Sequence, residues 1–122
     1  MAWLYRVNTK QFLLNGHYRF SAKYSGRPGY QDNSDHQCVK SKGPIPKGSY
    51  TIGRPFHHPK TGRWTLRLTP SPSNQMCGRG GFMIHGDSQT HPGEASDGCI
   101  ILDFFYRKML AESGITLLEV EQ

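Results

Sequence analysis

The sequence predicts a mostly β protein, a twisted sheet or small sandwich or barrel, with one short helix near the C-terminus. Two observations carry this. Fourteen Gly and eight Pro in 122 residues favour turns and short strands over long helices. Apolar residues come in short runs bounded by Gly, Pro or Asn, and only the segment 103–113 pairs them at helical spacing. The length fits one domain over 1–122. A hydrophobic content of 35% and a mean hydropathy of −0.63 predict a modest core with many polar loops.

Taken in order, residues 3–7 read as an edge strand, and Asn8-Thr9-Lys10 turns the chain. Residues 11–14, Asn15-Gly16 and residues 17–22 form a hairpin, because Asn-Gly tolerates the positive φ of a type I′ turn. Its aromatic residues serve cross-strand packing. Residues 25–42 are polar and long for a plain connection, so they are either mobile or functional, flanking a groove. Pro44 and Pro46 stiffen residues 43–48, and 49–52 is a strand. Residues 55–62 read as a loop holding His57 and His58. No Cys-x-x-Cys or His-Glu-x-x-His accompanies them, so no metal site is expected. Residues 64–69 alternate as a half-buried strand, and 70–80 form a loop with Cys77 and Arg79, an Arg suited to a substrate carboxylate or to solvent. Asp103 stands as N-cap of the helix, with Phe105, Tyr106, Met109 and Leu110 on its apolar side. Gly114 stops it, and 115–120 close as a strand.

Between two short apolar runs, 81–84 and 100–102, lies the polar stretch from His85 to Cys99. Strand, loop, strand puts His85 at the end of the first strand and Cys99 at the start of the second. Neighbouring strands stand about 5 Å apart, so thiol and imidazole meet. A thiol attacks a carbonyl as thiolate, and an imidazole takes its proton and returns it to a leaving amine. Cys99 as nucleophile and His85 as base fit that need. Gly98 lets backbone approach the substrate, and its N–H or that of Cys99 faces the developing oxyanion. A core thiol beside Ile-Ile-Leu and a surface imidazole are the alternative reading of the same residues. An odd count of three Cys suggests a pair plus a reactive thiol. If Cys99 is the reactive one, Cys38 and Cys77 are left to pair.

Ser96-Asp97-Gly98-Cys99 with an upstream His85-Gly86 resembles the Ser-His-Gly-Cys signature of L,D-transpeptidases, the YkuD-like catalytic domain. The fuller resemblance is to L,D-transpeptidase-like toxins delivered by type VI secretion. Four ordered blocks carry it: 43–53, 67–70, 81–87 and 92–100. Asp97 stands where the common signature has His, and the His85–Cys99 spacing of 14 positions is shorter than in the common enzymes. Both departures fit the toxin group better than ordinary wall cross-linking.

The resemblance implies a β-rich L,D-transpeptidase-like fold. It also implies that Cys99 attacks the carbonyl joining the third stem residue to terminal D-Ala, forming a thioester. Water then gives L,D-carboxypeptidase activity, and a free D-amino acid gives exchange. His85 is base, then acid. Asp87 orients His85 or the substrate amine, or is solvated. Ser96 and Gly98 shape the nucleophile loop, and His91 is a second candidate base outside the blocks. No cofactor is expected. The implied partners are peptidoglycan stem peptides, an immunity protein and type VI delivery components.

The net charge of +6 suits an anionic partner such as cell wall. No Lys/Arg run exceeds two residues, so nucleic acid is not expected. Residues 1–25 lack a basic start followed by an apolar stretch, and no long apolar span occurs. The expectation is a protein made in the cytoplasm without a signal peptide or membrane insertion, exported by another route and acting in the periplasm of a target bacterium. A noncatalytic cell-wall-binding module and a non-toxin thiol hydrolase are the competing classes.

Overall fold

The computed structural model describes residues 1–122. Its strands are β1 Trp3–Arg6, β2 Gln11–Leu14, β3 His17–Ser21, β4 Tyr24–Ser25, β5 Gly48–Ile52, β6 Phe56–His58, β7 Gly62–Pro70, β8 Met83–His85, β9 Ile100–Ile101 and β10 Leu117–Glu121. The α-helix α1 spans Phe104–Glu112, and a 3-10 turn covers Ser34–His36. The strands line up as β3-β2-β1-β10-β5-β7-β8-β9-β4, with β6 added on β7. The mostly β expectation with one C-terminal helix holds.

The β2–β3 hairpin forms as the Asn-Gly pair requires, with φ of 52° at Asn15 and 78° at Gly16. β1 is not an edge strand. It pairs antiparallel with β2 and parallel with β10, because the C-terminal strand returns to lie beside the first. The 55–62 segment is not wholly loop: β6 pairs with the start of β7.

The two ends of the strand order, β3 and β4, are separated in sequence only by Ala22 and Lys23. The sheet therefore curls until its ends approach. This carries Tyr24 and Ser25 onto β9, beside the His85–Cys99 stretch.

An apolar cluster including Tyr5, Phe12, Phe20, Tyr50, Leu66, Ile84, Ile100 and Leu118 fills the curl. Each fully buried side chain of this size contributes roughly 1.5–3 kcal/mol. The helix joins through Leu110, Tyr106 and Met109, with Tyr106 stacked on Phe20 at 4.6 Å. Two helix expectations are corrected. Phe105 is 67% exposed, and the second buried helical residue is Arg107. Asp103 occupies the N-cap position without a side-chain cap hydrogen bond; its carboxylate pairs with Lys23 Nζ at 3.4 Å instead.

Cys38 and Cys77 form a disulfide across 39 positions, and Cys99 is free. A loop of that length gives about 4 kcal/mol by chain entropy. No helix is long and apolar enough to cross a membrane.

Candidate active site

β8 and β9 are parallel, with Ile84 opposite Ile100 and His85 opposite Ile101. The loop between them is thus a crossover rather than a hairpin. Continuing that register puts Cys99 opposite Met83. Met83 and His85 are two residues apart on one strand, so Cys99 and His85 project from the same face of the sheet. Ile84 and Ile100 point the other way and are fully buried. His85 and Cys99 share a face because β8 and β9 are parallel in this register, not because two strand ends abut.

Both line one open groove of about 1280 Å³. Cys99 Sγ points at the Gly81 carbonyl at 3.9 Å. His85 is 4% exposed, and its Nδ1 lies 2.8 Å from the Gly86 carbonyl. A carbonyl only accepts, so Nδ1 carries the proton and Nε2 of the neutral ring holds the lone pair. Burial lowers the His85 pKa; the Gly86 carbonyl opposes this, and the Arg107 cation adds to the lowering. Burial pushes the Cys99 thiol up to about 11, against the Met83 backbone N–H, with Asp97 raising it further and Arg67 and Arg79 lowering it. At neutral pH the pair is thiol and neutral imidazole, not an ion pair.

The loop carrying Cys99 is held by Ser96, which is fully buried. Ser96 Oγ accepts from the Gly26 N–H at 2.9 Å and the Gly98 N–H at 3.0 Å, and donates to the Cys99 carbonyl at 2.7 Å. Of the two N–H groups expected to face an oxyanion, that of Gly98 is therefore committed and that of Cys99 has no such acceptor. Gly98 has φ +141°, and a Cβ there would lie 2.5 Å from Arg79 Nη2 and 2.7 Å from Phe82 Cε1, so only Gly fits.

Asp87 lines the groove but makes no hydrogen bond to His85. Its carboxylate accepts from the Tyr24 hydroxyl at 2.5 Å, the Ser88 N–H at 2.8 Å and the Gly93 N–H at 3.1 Å. Burial alone raises its pKa, but these hydrogen bonds outweigh that and hold it below the ordinary carboxylate value. Asp87 thus anchors the crossover loop. His91 is exposed on the groove rim, its Nδ1 3.1 Å from Thr90 Oγ1. Asp97 pairs with Arg27 Nε at 2.6 Å.

Four further residues take places at the site that the sequence does not foretell. Ser25 Oγ donates to the Gly98 carbonyl and accepts from the Ile45 N–H, each at 3.0 Å. Arg79 is half-buried at the groove, and its guanidinium donates to the carbonyls of Gln37, Pro44, Gly43 and Asp97. It locks the 37–44 segment onto the nucleophile loop. Arg107 donates to the Trp64 and Leu102 carbonyls and packs so closely on Gly86 that a Cβ there would lie 2.8 Å from Nη1. His58 stands in the groove wall. The 25–42 segment reaches the groove through Arg27, Pro28, Lys40 and Ser41. No group of three or more His, Cys, Asp or Glu side chains is placed to hold a metal ion.

The curled mixed sheet with one helix near the C-terminus is an L,D-transpeptidase-like fold. Solved structures share the fold. Bd1075 of Bdellovibrio bacteriovorus matches at TM-score 0.59 and 18% identity, covering 98% of this chain and 47% of that one. The L,D-transpeptidase LdtMt1 in complex with imipenem matches at 0.54 and 15%, covering 98% and 58%. An L,D-transpeptidase from Mycobacterium smegmatis matches at 0.53 and 14%, covering 99% and 58%. The chain spans about half the length of these structures. Comparison with curated proteins finds no match. The Tlde1 domain model matches residues 19–109, and the chain belongs to that family, a family of type VI effectors.

Proposed function

We propose that this protein is a peptidoglycan-modifying cysteine enzyme that removes or exchanges the terminal D-Ala of stem tetrapeptides. One observation carries the reading: thiol and imidazole share a face of one groove, and the imidazole spends its Nδ1 proton on Gly86, keeping Nε2 free as base. They make no direct hydrogen bond at rest, as is common before substrate binds.

Cys99 Sγ attacks the carbonyl between the third stem residue and D-Ala as His85 Nε2 takes the thiol proton. The Cys99 N–H faces the oxyanion, the Gly98 N–H being committed to Ser96. The tetrahedral adduct collapses with breakage of the C–N bond, and His85 returns the proton to the leaving amine. Water or the amine of a free D-amino acid then attacks the thioester, His85 again taking a proton, and the thiol is restored. His91, outside the buried face, takes no part. The groove exceeds the usual size of a drug-like site and mixes Arg and Lys with Asp87, Glu94 and Asp97. That suits a zwitterionic peptide.

Family membership supports delivery by type VI machinery into a target periplasm, and neutralisation by an immunity protein in the producing strain. Loss of stem tetrapeptides deprives the target wall of its usual cross-linking donors.

The test is mass spectrometry of purified disaccharide-tetrapeptide after incubation, with and without an added D-amino acid. Loss of one D-Ala, or its replacement by the added residue, is expected. Unchanged substrate bound by folded, reduced protein would point to a noncatalytic wall-binding module.

A further inference from the structure

Of the adjacent pair His57 and His58, His58 lines the groove. Its ring is fixed by its own turn: the Lys60 N–H donates to Nδ1 at 3.0 Å and the Thr61 N–H at 3.3 Å. A backbone N–H only donates, so Nδ1 is the acceptor and the neutral ring carries its proton on Nε2. The ring thus has one N–H left for a ligand.

The strand register says where this donor stands. Leu66 of β7 lies opposite Ile84 of β8, antiparallel, so the start of β7 runs past the His85 end of β8. The 58–62 turn joins β6 to that start. The turn therefore lies beyond the His85 end of β8, on the groove that His85 lines, while Gly81 and Cys99 lie at the other end. The electrostatic effect of His58 on His85 agrees with this proximity.

The groove's other cations are elsewhere or committed. Arg27 pairs with Asp97, and Arg79 is bound to four carbonyls. Lys40 lies by Gly78, its Nζ 3.6 Å from where a Cβ would stand, before β8 begins. Lys60, on the His58 turn, is exposed, lines the groove and has no carboxylate partner.

We propose that His58 and Lys60 form the subsite for the free α-carboxylate of the D-amino acid on the leaving side of the scissile bond. This rests on the cysteine reading above. The leaving nitrogen must sit at His85 to receive its proton. In a terminal D-amino acid the carboxylate carbon is two bonds from that nitrogen, so its receptor must lie on the His85 side of the groove. A fixed N–H and an unpaired ammonium are the donors a carboxylate needs. Asp87, Glu94 and Asp97 offer it only repulsion. An incoming D-amino acid presents the same amine and carboxylate, so one subsite serves both hydrolysis and exchange. It also selects an exposed chain end over an internal bond.

The test compares tetrapeptide ending in a free carboxylate with its C-terminal carboxamide. His58→Asn puts Oδ1 where Nδ1 accepts, so the turn keeps its acceptor while the Nε2 donor is lost; Lys60→Gln removes the charge. The wild type should favour the carboxylate by roughly tenfold or more in kcat/KM, chiefly through KM, as expected for hydrogen bonds to a charged group. The double variant should bring that ratio toward one. A ratio unchanged from the wild type, with D-Ala still released, would overturn the subsite and leave the cysteine reading standing. A second arm needs no turnover: free D-Ala titrated into Cys99→Ala protein should shift the His58 ring resonances in NMR, and their failure to move at saturating D-Ala would overturn the subsite directly. Wild type that releases no D-Ala while the titration shifts those resonances would sink the cysteine reading and keep the carboxylate subsite.

Discussion

Cys99 and His85 are both uncharged at rest, and in the proposed reaction this sets the response to pH. The base form of His85 is the neutral one. Burial lowers its pKa, so that form persists below the ordinary imidazole value of about 6.5. The acid limb of kcat/KM is expected below that value, and a limb above it would contradict a buried neutral base. His85→Ala should lose roughly a hundredfold or more in rate, while His91→Ala stays near wild type with its acid limb unmoved. The opposite ranking would reassign the base to His91. Cys99 and His85 were legible in the sequence as a candidate pair because they stand in ordered blocks of residues. Tyr24, Ser25 and Arg79 were not. Tyr24 meets Asp87 across 63 positions, Ser25 meets Gly98 across 73, and Arg79 meets Asp97 across 18. A residue in a two-residue strand or in a loop carries no sign of so distant a partner. His58 was weighed only as a metal ligand, because its turn hydrogen bonds are invisible in the sequence.

The element on which the proposed chemistry turns is the 96–99 loop. Ser96 satisfies two backbone N–H groups and the Cys99 carbonyl at once. Ser96→Ala leaves these buried groups unpaired, at roughly 1–3 kcal/mol. Activity should fall further than stability, because the released loop is the one that aims Sγ. Denaturant melts and D-Ala release measured side by side check this; equal activity with lowered stability would make Ser96 a core residue only. Elements with local signals were readable: the Asn15-Gly16 hairpin, the alternating β7 and the Gly114 stop. Those dictated by distant pairing were not. β4 is two residues long and forms only on β9. β1 looked like an edge because nothing near it announces that β10 will lie alongside. Nothing local marks Arg107 as buried; the carbonyls of Trp64 and Leu102 draw it inward.

Across the whole molecule, the site depends on a sheet curled far enough to bring β4 to β9, and on a disulfide that ties the 26–44 and 71–80 segments together. Arg79 lies two residues beyond Cys77, and Gln37 adjoins Cys38, so covalent and hydrogen-bonded ties act on the same two segments. Reduction should lower unfolding stability by about 4 kcal/mol, read as a shift of the denaturant midpoint in the Cys99→Ala background. An unmoved midpoint would show that the curled sheet alone holds these segments. The central claim is that Cys99 breaks the bond to terminal D-Ala. Its most direct measurement is D-Ala release from disaccharide-tetrapeptide by wild type and by Cys99→Ala protein of unchanged fold. Release by the wild type and none by the variant is the predicted result; release at the same rate by both would contradict it.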